Sequence, residues 1–181
     1  MKIPALKSNR LLLRSLQPED AAAIEAQLSE PMANPGLARA LHPDSQGHAA
    51  EWISAQATGT HGIALAITEG DRFLGTIGLE PSTLRSIGIF APTIGYWLGA
   101  PFWGKGFMQE AVRCLLDWYL PFEPTERIGT SVFEANTRSL KVLEKLGFRE
   151  VERGSTYSQL LGKELPDIKL ELTAQRYYEA I

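Results

Sequence analysis

Gly99-Ala100-Pro101-Phe102-Trp103-Gly104-Lys105-Gly106 lies between an apolar, aromatic run, Ile94 to Leu98, and a helical pattern that begins at Phe107. Two closely spaced glycines ahead of a helix let the backbone approach a ligand. They also leave N–H groups at the positive end of the helix dipole. A turn built this way suits a phosphate or pyrophosphate.

Three readings of the turn compete. Gly99, Gly104 and Lys105 satisfy the nucleotide loop G-x-x-x-x-G-K-[ST] up to its last position, where Gly106 replaces the hydroxyl that holds magnesium. Pro101, Phe102 and Trp103 also make the loop stiff where a small, adaptable one is expected. The dinucleotide pattern G-x-G-x-x-G fails at Gln109, and the preceding strands read as antiparallel. A plain turn that starts a helix is the third reading.

Outward from the turn, the apolar positions Val112, Leu115, Leu116 and Tyr119 recur at helical spacing and predict a helix from Phe107 to Leu120. Upstream, Ile63 to Thr68 and Phe73 to Leu79 flank Glu69-Gly70-Asp71-Arg72 and read as a hairpin. Ile87 to Phe90 and Ile94 to Leu98 predict one further strand, or two broken near Pro92. Arg10 to Arg14 is a short strand, Pro18-Glu19-Asp20 opens a helix through Leu28, and Ala49 to Thr58 is a second helix. Pro31 to Gly47 reads as a loop or short broken helix. Downstream, Ile128 to Phe133 is a strand, Asn136 to Leu146 a helix stopped by Gly147, and Phe148 to Val151 and Ile168 to Leu172 are strands. Together they predict a single α/β domain over residues 1–181, with a mixed, mostly antiparallel sheet.

The 181 residues carry 18 Lys plus Arg against 21 Asp plus Glu, a net charge of −3, so the basic footprint of a nucleic-acid binder is missing. No apolar run reaches membrane-spanning length, and the N-terminus lacks the apolar core of a signal peptide. One cysteine, Cys114, excludes an internal disulfide, and its apolar helical neighbours predict a buried, inert thiol. His42, His48 and His61 show no metal-ligand spacing. The expectation is a cytoplasmic protein without metal, membrane or nucleic acid.

The stretch from Tyr96-Trp97-Leu98 through Trp103-Gly104-Lys105-Gly106-Phe107 to Glu110-Ala111 resembles the coenzyme A pyrophosphate loop of the GCN5-related N-acetyltransferases. Asn136-Thr137-Arg138-Ser139 with Val142 to Phe148 resembles the family's N-x-x-S…E-K-x-G-F segment. Asn9-Arg10-Leu11-Leu12-Leu13-Arg14 with Pro18-Glu19-Asp20 is similar to the opening of the RimJ/RimL-like branch, which includes the ribosomal-protein N-terminal acetyltransferases. The three blocks occur in the family's order and span nearly the whole chain. The loop departs from the family at Pro101, where Gln or Arg is common, and at Met108, where a smaller residue is usual.

The resemblance implies a sheet splayed at its centre with helices on both faces. It also implies acetyl-CoA as co-substrate and direct attack of a primary amine on the thioester, through a tetrahedral intermediate. Backbone groups of Phe102, Trp103, Gly104, Lys105, Gly106 and Phe107 would hold the pyrophosphate, with the Lys105 side chain either a phosphate contact or solvated surface. The strand carrying Trp97 and Leu98 would pair with the pantetheine amides, as an added strand does. Asn136 and Ser139 would contact cofactor near the thioester, although Asn136 is also a natural helix N-cap. Relatives often place a Tyr where Leu143 stands. The expected proton donor to the thiolate is therefore Ser139, with Tyr157 or water as substitutes.

Glu134 is the candidate general base, beside two other readings: an exposed turn carboxylate, or base catalysis by water. The acceptor is a protein N-terminus or a small amine, and a homodimer is left open. Segments Pro31 to Trp52 and Ile87 to Pro92 would set acceptor specificity, with Glu30, Asp44 and Glu51 available to line an acidic groove. The competing function is a catalytically quiet acyl-CoA-binding or sensing module on the same fold.

Overall fold

The computed structural model describes residues 3–28, 48–57, 62–84, 89–122, 127–158 and 161–181. The described elements are β1 (Leu6–Lys7), β2 (Leu12–Ser15), α1 (Asp20–Leu28), α2 (His48–Ala57), β3 (Ile63–Glu69), β4 (Arg72–Leu84) and β5 (Ile89–Leu98). After the glycine turn come α3 (Phe107–Phe122), β6 (Ile128–Phe133), α4 (Thr137–Lys145), β7 (Arg149–Ser158), β8 (Lys163–Leu172) and α5 (Ala174–Ala180). The strands form one sheet in the order β1-β2-β3-β4-β5-β6-β8-β7. Every neighbouring pair is antiparallel except β5 and β6, which run parallel.

Strand alternation sends successive side chains to opposite faces, and the core divides accordingly. Leu65 and Ile67 on β3 join Leu115 and Leu116 of α3 and Leu143 of α4 in the larger cluster. Ala66, between them, meets Phe73 of β4 and Ile24, Ala49 and Ile53 of α1 and α2 in the smaller one. Helices therefore cover both faces, as the resemblance implies.

Local chemistry sets the boundaries. Asp20 opens α1 by accepting the Gln17 N–H at 2.8 Å, and Arg14 holds the same carboxylate through two bonds of 2.8 Å. Gly70, at φ 58°, makes the β3–β4 turn that Glu69-Gly70-Asp71-Arg72 predicts. Gly147, at φ 92°, ends α4, with the Phe148 N–H returning to the Leu143 carbonyl at 3.1 Å.

One open alternative is decided and three expectations need correction. Of the two readings near Pro92 the single strand holds: β5 runs unbroken through Pro92, which stands opposite Pro81 in the ladder. Neither residue has an N–H to exchange, and the flanking pairs carry the register. β7 and β8 are each ten residues long, well beyond the short apolar runs that mark them in the sequence. Their extensions are polar and exposed, so they carry no burial pattern to read. The strand β1 and the helix α5 were not expected. Finally, Cys114 is only half-buried, because the two-residue β1 does not cover α3. The thiol lines a cavity of about 540 Å³ with Lys7, Ser8, Glu110, Arg113 and Asp117. Burial, then the Asp117 and Glu110 charges, raises its pKa, so the thiol stays protonated. Residues 29–47, with Glu30 and Asp44, and 85–88, with Ile87, lie outside the described residues, and Glu51 is exposed on α2.

Candidate active site

β5 and β6 pair at one position, Thr93 with Gly129. The Thr130 hydroxyl ties the strands once more by donating to the Ile94 carbonyl at 3.0 Å. Beyond that, Gly95 to Leu98 keep β4 on one side and have no ladder partner on the other. The sheet opens there into a cleft whose walls are β5 and β6. Alternation turns Tyr96 and Leu98 toward the α3 and α4 face, and Gly95 and Trp97 toward the α1 and α2 face. Trp97 packs its ring 6.0 Å from that of Phe73, and a Cβ added at Gly95 would meet nothing within 4 Å.

The glycine turn stands at the end of β5. Pro101 sits in a 3-10 turn, Ala100–Phe102, which the Phe102 N–H closes on the Gly99 carbonyl at 3.0 Å. Phe102 and Phe107 are buried as anchors on either side of the turn, while Lys105 is exposed. The Trp103 indole N–H donates to the Leu98 carbonyl at 2.8 Å, fixing the turn to the strand. Gly104 and Gly106 adopt φ of 73° and 78°, which L side chains resist. The Glu110 N–H bonds the Gly106 carbonyl at 3.1 Å, so the amides of Phe107, Met108 and Gln109 have no partner within α3. These free donors, the positive dipole end and the open space above Gly104 fit an anionic pyrophosphate.

Two cations brace the turn from outside. Arg10 donates from Nη1 to the Lys105 carbonyl at 3.1 Å and from Nε to Glu110 Oε2 at 2.7 Å. Its guanidinium also lies 4.5 Å above the Phe107 ring. Arg138, in the first turn of α4, lies 4.8 Å above the Trp103 ring and links the two helix starts.

At the start of α4, Asn136 is the N-cap, its side-chain oxygen accepting the Ser139 N–H at 3.2 Å. The Ser139 hydroxyl meets the Tyr96 hydroxyl at 2.8 Å, across the opening of the sheet. Burial raises the Tyr96 pKa, with the Ser139 hydrogen bond opposing it, and the phenol stays neutral. Leu143 is fully buried in the core. Tyr157 is exposed near the β7–β8 turn, opposite Glu164, and the hydroxyl that meets Ser139 comes from β5 instead. Glu134 is exposed at the turn after β6, its carboxylate 2.6 Å from Arg153.

A family model described as "Acetyltransferase (GNAT) domain" matches residues 10–149. The chain belongs to the GNAT acetyltransferase family. It is 26% identical over 151 residues to the SPbeta prophage-derived uncharacterized N-acetyltransferase YokL of Bacillus subtilis (strain 168), covering 82% of this chain and 81% of that protein. In fold it is similar to RimL, a ribosomal L7/L12 alpha-N-protein acetyltransferase solved with coenzyme A. The TM-score is 0.78 at 18% identity, over 94% of this chain and 97% of that one. A second GNAT-like structure is the microcin C7 self-immunity acetyltransferase MccE, solved with acetyl-CoA and AMP. It superposes with a TM-score of 0.77 at 16% identity, over 95% of this chain and 98% of that one.

For this GNAT chain the sequence reading singled out the turn and Asn136 with Ser139, but it missed Tyr96, Arg10 and Arg138 as their partners. All three lie inside motifs already read. Only alternation along β5, which puts Tyr96 on the α4 face, could have flagged the first. Nothing in the spacing of Arg10 and Glu110, a hundred residues apart, signals the second.

Proposed function

We propose that this chain is an acetyl-CoA-dependent N-acetyltransferase that acts on a primary amine, either a protein N-terminus or a small-molecule amine. The observation that carries this reading is the divergence of β5 from β6 after one pair, with the open helix start and positive-φ glycines at its mouth. Backbone N–H groups of Gly104, Lys105, Gly106 and Phe107 hold the pyrophosphate, those of Phe102 and Trp103 being spent on the Gly99 and Ala100 carbonyls, and Lys105 is free to approach a phosphate. The unpaired edge of β5 at Trp97 and Leu98 receives the pantetheine amides. Acetyl-CoA supplies the thioester carbonyl, an electrophile with a thiolate leaving group.

Ser139 gives its proton to the departing sulfur. Either hydroxyl can donate in the Tyr96–Ser139 bond; in this mechanism the neutral Tyr96 phenol is the donor, which directs the serine O–H outward. Asn136 keeps its side-chain amide for the cofactor, because its oxygen alone makes the cap.

The test is a thermal-shift titration with acetyl-CoA, CoA and magnesium ATP. A release assay for free thiol follows, with Ser- and Ala-initiated peptides and putrescine as acceptors. Stabilisation by both CoA species and thiol release with an amine are expected. Stabilisation by ATP alone would refute the cofactor assignment. CoA binding without thiol release for any acceptor would leave an acyl-CoA-binding module.

A further inference from the structure

Asp167 of β8 is 2% exposed, and a carboxylate so buried costs several kcal/mol unless its oxygens are bonded. Its Oδ2 accepts the Ser131 hydroxyl at 2.5 Å and the Thr156 hydroxyl at 2.9 Å, while Oδ1 has no hydrogen-bond partner among the described residues. Ser131, by contrast, is exposed. It lies on β6 two residues past Gly129, the last residue that pairs with β5, and therefore on the wall of the cleft.

Alternation from the Thr93–Gly129 pair puts Ser131 on the same face as Gly95 and Trp97, and among the described residues no atom lies within 4 Å of a Cβ built on Gly95. The Tyr96–Ser139 pair occupies the other face. The charged groups sharing the Asp167 face are Lys169, bonded to Glu152 at 2.9 Å, and Glu171, bonded to Arg127 at 2.9 Å. Both cations are thus engaged with other carboxylates. Glu134, at the same end of β6, carries Arg153 on its carboxylate.

We propose that Ser131 is the residue that receives the acceptor amine, with Asp167 behind it as the positioning residue that takes the proton. This rests on the acetyl-transfer reading above and adds the base that reading lacks. The Ser131 proton is committed to Asp167, so Oγ presents only lone pairs to the cleft and selects an N–H donor. As the amine nitrogen forms its bond to the thioester carbon, Ser131 Oγ takes the N–H proton and passes its own to Asp167 Oδ2. The C–S bond breaks and the sulfur takes the Ser139 proton on the opposite face. Asp167 ends one proton richer and Ser139 one poorer, water restores both, and nothing is oxidised or reduced.

The experiment compares wild type, Ser131→Ala, Ser131→Thr and Asp167→Asn for thiol release from acetyl-CoA. The acceptors are putrescine, a Ser-Ala-Ala tripeptide, and water alone, each measured across the pH range. Ser131→Ala and Asp167→Asn are expected to lower kcat by about 100-fold, with the KM for acetyl-CoA and the CoA-induced thermal shift unchanged. Ser131→Thr, which keeps the hydroxyl, restores kcat, and the slope left in the pH profile of the alanine variant is that of the acceptor amine's own deprotonation. Asp167→Asn removes a buried charge and can unfold the chain. The exposed Ser131→Ala variant therefore decides the matter.

A Ser131→Ala rate within about twofold of wild type, with an unchanged pH profile, overturns the assignment. So does a wild type that binds acetyl-CoA yet turns over neither amine nor water. An absent thermal shift with acetyl-CoA instead overturns the cofactor reading, which separates the two failures.

Discussion

Replacing Arg10 by alanine removes the brace that orients the pyrophosphate turn while leaving every backbone donor of that turn in place. Three contacts go: the bond to the Lys105 carbonyl at 3.1 Å, the pair with Glu110 at 2.7 Å, and the stack 4.5 Å above Phe107. The ion pair is worth only about 1 kcal/mol, since the Arg10 side chain is 39% exposed and solvent screens it. The stack adds about 0.5–1 kcal/mol, and the bond to the carbonyl about 1 kcal/mol. These terms overlap, and a total near 2 kcal/mol is expected in urea unfolding.

Glu110 keeps the Arg10 backbone N–H and the Ser8 hydroxyl, both at 2.7 Å, so its charge is not stranded. Only the carbonyl bond acts on the turn itself, and losing about 1 kcal/mol of pre-organisation weakens CoA binding about fivefold. Isothermal titration with CoA reads this directly, and Arg10→Lys, which keeps charge but not the fork, should fall between. An unchanged CoA affinity in a folded but destabilised Arg10→Ala protein would refute the reasoning, because the brace would then serve stability alone. The same network adds a pH dependence. Burial pushes the Glu110 pKa up, but the Arg10 and Ser8 bonds outweigh it and hold the carboxyl below its ordinary value. Its contribution is therefore present above the ordinary carboxylate range and fades as pH falls through it.

Three further outcomes follow from the geometry. Tyr96→Phe should lower kcat about tenfold while leaving CoA affinity within twofold, read by steady-state kinetics beside calorimetry, because the ring still packs and only the hydroxyl on Ser139 is lost. Gly147→Ala should cost about 2–4 kcal/mol in urea unfolding. Its φ is 92°, and the added Cβ would lie 2.7 Å from the Arg176 carbonyl oxygen, a backbone atom with little room to move. Asp20→Asn should cost about 2–3 kcal/mol at neutral pH and progressively less in acid, followed by thermal unfolding across pH. Burial pushes the Asp20 carboxyl up, but Arg14 and the Gln17 N–H outweigh it and lower its pKa, so that stability too is lost as pH falls.

The glycine turn, the helix after it and the Asn136 to Gly147 helix were legible because their signals are local. Gly104, Gly106 and Gly147 mark backbone that bulkier residues resist, and the apolar residues from Val112 to Tyr119 repeat at the helix period. The 34 residues after Gly147 were poorly legible. β7 and the outer half of β8 are polar and exposed, and α5 has one buried residue, Tyr177. Their order comes from pairing with neighbours rather than from a pattern of their own.

The amino-acid order by itself determined the family and the loop that suits coenzyme A, because turn chemistry and helix starts depend on residues within a few positions of one another. Tertiary structure alone decided which groups meet at the cleft. Tyr96 and Ser139 are 43 residues apart, Ser131 and Asp167 36, and Arg10 and Glu110 100. Each pair is made by strand register or helix packing, and a hydrogen bond of 2.5–2.8 Å requires a relative position that no local preference encodes.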